Sequence, residues 1–137
     1  MKAPAAYSGK FGETAFHRHV GELLEVYERQ GWLIAIPVPN GAKLAGSDPA
    51  QRARRAARMK ADRQLRPGVS DWLVYLKGGP LLALELKVGR NKPTPEQAAF
   101  AAQVELMGGR AFTCRSLDEV ALAIDLPTAP LFGRPAA

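Results

Sequence analysis

The stretch DWLVYLKGGPLLALELK, residues 71–87, decides how this chain folds. Trp72, Val74 and Leu76 alternate ahead of the Gly78-Gly79-Pro80 break, and Leu82, Leu84 and Leu86 alternate after it, which is the period of a half-buried β-hairpin. Residues directly opposite in an antiparallel pair share a face, so burying all six on one side requires an odd-numbered loop. Gly78, Gly79 and Pro80 supply three residues, with glycines for positive φ and a proline that has no backbone donor to withhold from the ladder. The predicted register sets Trp72 against Leu86, Val74 against Leu84 and Leu76 against Leu82. On the other face, Asp71 then stands opposite Lys87, Leu73 stands opposite Glu85, and Glu85 and Lys87 are neighbours two apart on one strand. Two carboxylates and an ammonium converge on one side of the hairpin.

Around this hairpin the remaining elements alternate between helix and strand. Phe16, Val20, Leu23, Leu24 and Tyr27 recur at helical spacing within residues 11–30, and Gly31 stops the run. Residues 32–38 are short and β-rich and close on Pro39, Asn40 and Gly41. A basic, alanine-rich helix of weak apolar character follows Ser47, Asp48 and Pro49 and breaks at Arg66-Pro67-Gly68. After the hairpin come a helix from Thr94 to about Met107, a strand over 110–114 and a last helix over 116–124. The reading is a flexible start at 1–10, one α/β domain over 11–125 with a central mixed sheet of about four strands, and a Pro-rich tail at 126–137.

Composition excludes several classes. At 137 residues the chain suits a single core, and 47% hydrophobic with 23% charged residues is the balance of a soluble globular protein rather than a disordered one. Residues 1–10 carry no apolar signal stretch, and no run approaches the roughly 18 apolar residues of a membrane span, so a soluble cytoplasmic protein without membrane partners is expected. Cys114 is the only cysteine, which rules out an intrachain disulfide and a cysteine-based zinc site, so any metal sits on oxygen ligands.

The formal charge of +6 is concentrated in one place. Residues 51–66 hold Arg52, Arg54, Arg55, Arg58, Lys60, Arg63 and Arg66 against the single acid Asp62. Removing them from the 19 basic and 13 acidic residues leaves twelve of each, so the rest of the chain is formally neutral. One positive patch of this kind attracts polyanions and releases their counterions, as contact with a DNA or RNA backbone requires, although a charge run is also what a solvated helix face looks like.

The acid pair fits phosphodiester hydrolysis. Mg²⁺ takes oxygen ligands and is commonly held by one or two carboxylates plus water and phosphate, which makes Asp71 and Glu85 the candidate ligands. Lys87 would orient the attacking water or stabilise the charge that grows on phosphorus. A Glu-x-Lys pair on an exposed strand is equally the pattern of a surface ion pair, so the motif alone does not establish a site.

Pro67-Gly68-Val69-Ser70-Asp71, followed fourteen residues on by Glu85-Leu86-Lys87, resembles the PD-(D/E)xK nuclease pattern, and in particular the virus-type replication-repair nuclease (VRR-NUC) domain. The resemblance takes in Glu13 on the first helix, the Asn40-Gly41 turn, the arginine-rich stretch, and Thr94-Pro95-Glu96-Gln97 at a helix start, and runs from about Glu13 to Ile124. It implies a restriction-endonuclease-like fold and a Mg²⁺- or Mn²⁺-dependent DNA endonuclease. It implies metal ligation by Asp71 and Glu85, with the backbone carbonyl of Leu86 as a further ligand and Glu13 approaching directly or through water. Glu22 and Glu25 are rival acids on the same helix. Gln97 would stand beside the lysine and the scissile phosphate, and the Asn40 turn would flank the substrate groove with Arg52, Arg55, Arg58, Lys60, Arg63 and Arg66 as nucleic-acid contacts. The chain departs from the pattern at His17, four residues after Glu13, where relatives often carry glutamine; His17 and His19, two apart, cannot share a helix face. Members of the family include homodimers that resemble Holliday-junction resolvases, which makes a junction- or flap-specific enzyme of replication, recombination or repair an expectation.

Simpler readings stand beside these. Thr94 with Gln97 and Pro95 is a capping box that would start any helix. Trp32 and Trp72 read as core residues and Cys114 as a small buried hydrophobe. The whole chain also reads as a non-catalytic nucleic-acid-binding module, or as an accessory protein whose arginine helix meets a protein partner.

Overall fold

The computed structural model describes residues 7, 9–39, 48–61 and 66–125. Four helices and four strands follow one another as α1 (Gly9–Arg29), β1 (Leu33–Pro37), α2 (Pro49–Ala61), β2 (Trp72–Leu76), β3 (Leu81–Leu86), α3 (Pro95–Leu106), β4 (Arg110–Cys114) and α4 (Leu117–Asp125). The strands form one mixed sheet in the order β1-β2-β3-β4, antiparallel between the first three and parallel between β3 and β4. This is a small α/β domain. The parallel pair is joined through α3, as a parallel connection requires.

Each face of the sheet is set by alternation. Val74, Leu76, Leu82, Leu84 and Leu86 point to one side and are buried there with Phe16, Val20 and Leu24 of α1 and Val120, Ala123 and Ile124 of α4. Trp72 is partly buried against the same cluster, with its ring edge 3.6 Å from the Cβ position of Gly21. Trp32 is half-buried outside that cluster, and Cys114 is buried within it, where desolvation pushes its thiol up to about 12. Among the described residues, α3 covers the opposite face over β3 and β4 but nothing covers it over β1 and β2, where Ile34, Ile36 and Tyr75 are exposed. Two positions on the outer edge of β1 offer no backbone donor to a further strand. The Ala35 N–H donates to Glu28 Oε1 at 2.9 Å, and Pro37 has no N–H to offer.

The hairpin keeps the expected faces but not the expected register. Trp72 pairs with Leu84, Leu73 with Ala83, Val74 with Leu82 and Tyr75 with Leu81, two residues away from the Trp72–Leu86, Val74–Leu84 and Leu76–Leu82 pairing, and Leu73 does not oppose Glu85. Alternation cannot distinguish these registers, because a slip of two preserves every face. The β2–β3 ladder closes at Tyr75–Leu81, so residues 76–80 lie between the last paired residues instead of 78–80, while Leu76 stays paired to Leu33 of β1 and the Lys77 N–H donates to the Trp32 carbonyl at 2.8 Å. Gly78 takes φ 65° there, and the Gly79 N–H closes the turn onto the Leu76 carbonyl at 3.1 Å.

Helix ends follow from local chemistry. Gly31 at φ 79° ends α1, with its N–H on the Glu28 carbonyl and the Trp32 N–H on the Tyr27 carbonyl, the paired bonds of a Schellman stop. Tyr7, ahead of the expected domain start at residue 11, stacks on Phe16 with ring centroids 4.7 Å apart, and α1 begins at Gly9. Asp48 caps α2 by accepting the Ala50 N–H at 3.0 Å. The rest of residues 1–10, the Asn40-Gly41 turn, Asp62, Arg63 and the tail at 126–137 lie outside the described residues, as does the side chain of Lys60.

Gly68 ties the hairpin to α3. It adopts φ 83°, and a Cβ built there would lie 2.4 Å from the Glu96 carbonyl oxygen, so only glycine lets the backbone before β2 lie against the first turn of α3. Gly68→Ala combines a left-handed conformation with a backbone clash. It is expected to lower unfolding free energy by roughly 1–3 kcal/mol or more in urea titrations, whereas Gly78→Ala, with open space at its Cβ, should cost less.

Candidate active site

The start of β2 and the end of β3 bring the hairpin acids together more closely than the predicted register did. One step past the Trp72–Leu84 pair, Asp71 comes level with Glu85 instead of Lys87. The Asp71 carboxylate accepts the Leu86 N–H at 2.8 Å, two residues beyond the end of the ladder, and so pins the acid to the neighbouring strand. Glu85 is only 7% exposed. Its Oε1 receives the Gln97 Nε2 at 2.9 Å and lies 3.5 Å from the Lys87 ammonium, while its Oε2 is buried with no hydrogen-bond partner among the described residues.

Burial pushes the Glu85 carboxyl up to about 7; the nearby Asp71 charge adds to the rise and Lys87 opposes it. A carboxylate is costly in this setting, and the unsatisfied Oε2 marks where a cation or a proton would relieve the cost.

Gln97 serves two purposes at once. Its backbone N–H reaches Thr94 Oγ1 at 3.2 Å and its Oε1 accepts the Thr94 N–H at 2.9 Å, a complete capping box at the start of α3. The amide nitrogen of the same side chain is then left to face Glu85. The capping and site readings are therefore one arrangement, because the cap fixes the rotamer that presents the amide.

These residues line a cavity of ≈ 400 Å³. Asp71, Glu85, Leu86, Lys87 and Gln97 form one side, and Glu13, Thr14 and His17 of α1 form another. Glu13, and not Glu22 or Glu25, is the acid of the first helix that reaches it. Among the described residues no three His, Cys, Asp or Glu side chains gather closely enough to hold a metal ion by themselves, so Glu13 does not complete a three-acid cluster with Asp71 and Glu85. Asn91, in the loop after β3, also lines the cavity. Sequence reading missed it, as it missed Thr14, since a lone polar residue in a loop or on a helix carries no periodic or motif signal; His17 was noticed there only as a departure and not as a wall residue.

The basic residues gather elsewhere. Arg54, Arg55 and Arg58 are exposed on α2 and with Gln51 line their own shallow concavity of ≈ 350 Å³, while Arg52 is half-buried. None of the α2 arginines lines the acid cavity. Arg66 is held by α3, donating to Gln103 Oε1 at 2.7 Å and lying 5.4 Å over the Phe100 ring, so it braces the turn into β2. Asn40, Arg63 and the Lys60 side chain lie outside the described residues. Among the described residues no helix is long and apolar enough to cross a membrane. Comparison of the chain with protein-family models, with curated proteins and with solved structures finds no match.

The raised Glu85 carboxyl makes stability depend on pH in a stated direction. Its folded-state value near 7 lies above the ordinary 4.5, so the folded form binds the proton more tightly. The stabilisation is fully present below about pH 4.5 and is lost as pH rises through 7. Metal-free protein in EDTA should therefore lose on the order of 2–3 kcal/mol between pH 5 and 8 from this group. Glu85→Gln should flatten that part of the profile in thermal melts; a variant with an unchanged slope would assign it to other groups.

Proposed function

We propose that the chain is a divalent-metal-dependent nuclease of the PD-(D/E)xK type, similar to VRR-NUC domains, that hydrolyses phosphodiester bonds in DNA. The observation that carries this reading is the convergence of Asp71, Glu85, Lys87 and Gln97 on one cavity from the ends of adjacent strands and the start of α3. A mixed sheet with its acids at adjacent strand ends and a helix delivering a polar side chain to them supports a restriction-endonuclease-like fold.

The donor set fits Mg²⁺ or Mn²⁺. Asp71 and Glu85 would hold the ion, with the Leu86 carbonyl, water and phosphate oxygens filling the remaining positions and Glu13 approaching through water. The buried, unpartnered Glu85 Oε2 is the atom whose environment most calls for such an ion. When bound, a divalent cation supplies charge neutralisation at the phosphoryl group and a more acidic water. Lys87, whose ammonium lines the cavity, orients that water or stabilises the charge growing on phosphorus, and Gln97 fixes the Glu85 carboxylate against rotation. The exposed arginines of α2 hold the DNA backbone through charge, without reading sequence. Cutting paired strands takes two such sites, for which a homodimer acting on junctions or flaps is the arrangement we favour.

Asp71→Ala and Lys87→Ala should each lower Mg²⁺- or Mn²⁺-stimulated cleavage by about a hundredfold or more, with far-UV circular dichroism unchanged. The assay is a panel of linear, nicked, flapped and four-way-junction DNAs with Mg²⁺, Mn²⁺ or EDTA. Either variant cutting at the parental rate would refute the assignment. Salt-sensitive binding with no metal-dependent product would instead favour a binding module.

A further inference from the structure

Outside residues 51–66 the chain is formally neutral, but that balance is not local. Lys87, Arg90 and Lys92 follow one another with no acid before Glu96, so positive charge gathers between the end of β3 and the start of α3. This segment also runs from one site residue to another. Lys87 and Gln97 bound it, and Asn91 in its middle lines the acid cavity. Arg90 and Lys92 are each one residue from Asn91, about 3.8 Å along the chain from the cavity wall. Both are exposed, and neither forms an ion pair or side-chain hydrogen bond among the described residues.

The segment is held at both ends. Val88 is buried in the core cluster, and the Asn91 N–H donates to its carbonyl at 3.3 Å, closing a turn in which Gly89 takes φ 58°. Arg115, just past β4, donates from Nη1 to the Gly89 carbonyl at 3.1 Å. At the far end the capping box of Thr94 and Gln97 fixes the chain where α3 begins. Core and cap thus set the place of Arg90 and Lys92 beside the acids. The arginines of α2 line a separate concavity and none lines this one. A polyanion entering a cavity walled by Glu13, Asp71 and Glu85 is repelled by all three. A bound cation offsets that repulsion at the reacting phosphate, and the neighbouring phosphates need positive charge fixed on the protein.

We propose that the segment between β3 and α3 is a DNA-backbone clamp, in which the Arg90 guanidinium and the Lys92 ammonium pair with the phosphates next to the one that is cut. This rests on the nuclease reading above and adds a second grip to that of α2, the one nearest the chemistry. The contact is to phosphate and not to base edges, so it serves any sequence.

The test compares the parent, the double variant Arg90→Ala with Lys92→Ala, and the charge-keeping exchange Arg90→Lys with Lys92→Arg, on the DNA that the parent cleaves fastest in Mn²⁺. Fluorescence anisotropy of that labelled DNA, with Ca²⁺ in place of Mn²⁺, gives Kd across a series of salt concentrations. The alanine pair is expected to lower the slope of log Kd against log salt by about two and to raise Kd roughly ten- to a hundredfold at about 0.1 M salt. The exchange should keep the parental slope. With the phosphates next to the cut made neutral as methylphosphonates, the parent should lose affinity by a similar factor and the alanine pair should lose little more. Parental slope and Kd in the alanine pair overturn the proposal, as does an equal loss in the exchange variant, which would make the effect one of shape rather than charge. Additive losses on the methylphosphonate DNA overturn it too, by placing the contacts elsewhere. A parent that cuts none of the DNAs overturns the nuclease reading and this inference with it, whereas an active parent beside an unaffected alanine pair overturns this inference alone.

Discussion

Two carboxylates forced level with each other at the ends of neighbouring strands are the constraint around which the rest of this domain is organised. Asp71 is pinned by the Leu86 N–H, and Glu85 is sunk into the sheet with one oxygen that has no hydrogen-bond partner among the described residues. Neither can retreat from the other without breaking the hairpin register. Burial first and the Asp71 charge second push the Glu85 carboxyl up, and Lys87 moderates that cost without removing it. Lys87 and Gln97 both attend to Oε1, leaving Oε2 as the point of greatest need. Strain of this electrostatic kind is common where a fold has been shaped around a ligand.

Several elements distant in sequence are shaped to the same end. Gly68 permits the backbone before β2 to lie against Glu96, which brings the first turn of α3 over the sheet, and the Thr94 cap then holds Gln97 in the rotamer that meets Glu85. Arg66 reinforces this contact through Gln103 and Phe100. On the other side, Phe16, Val20 and Leu24 anchor α1 in the core and thereby fix where Glu13 and His17 meet the cavity. The hydrophobic core and the polar site are two faces of one hairpin, so that packing on one side sets distances on the other.

Much of this was legible in the residues alone. Period-two alternation gave the two strands and their buried face, and helical spacing with Gly31 and Thr94 marked α1, α3 and α4 to within two residues, while for α2 it marked the start at Pro49 but not the end, which was expected at Arg66 whereas the described helix ends at Ala61. What was lost is equally physical. Side-chain alternation leaves a two-residue register slip undetermined, and the hairpin turns over residues 76–80 rather than over Gly78-Gly79-Pro80 alone. Asp71 therefore meets Glu85 rather than Lys87. Of the candidate site residues, Asp71, Glu85, Leu86, Lys87, Gln97 and Glu13 share one cavity. Arg66 packs on α3 through Gln103 and Phe100, and Asn91 and Thr14 became visible only through tertiary placement.

The central claim is that Asp71 and Glu85 are held together in order to share a divalent cation. Crystals of the protein soaked in Mn²⁺ and measured for anomalous scattering test it without recourse to turnover. We expect a single strong anomalous peak between the Asp71 and Glu85 carboxylates, within coordination distance of both, that disappears in Glu85→Gln crystals. No peak there at saturating Mn²⁺, or one that persists in the variant, would contradict the account.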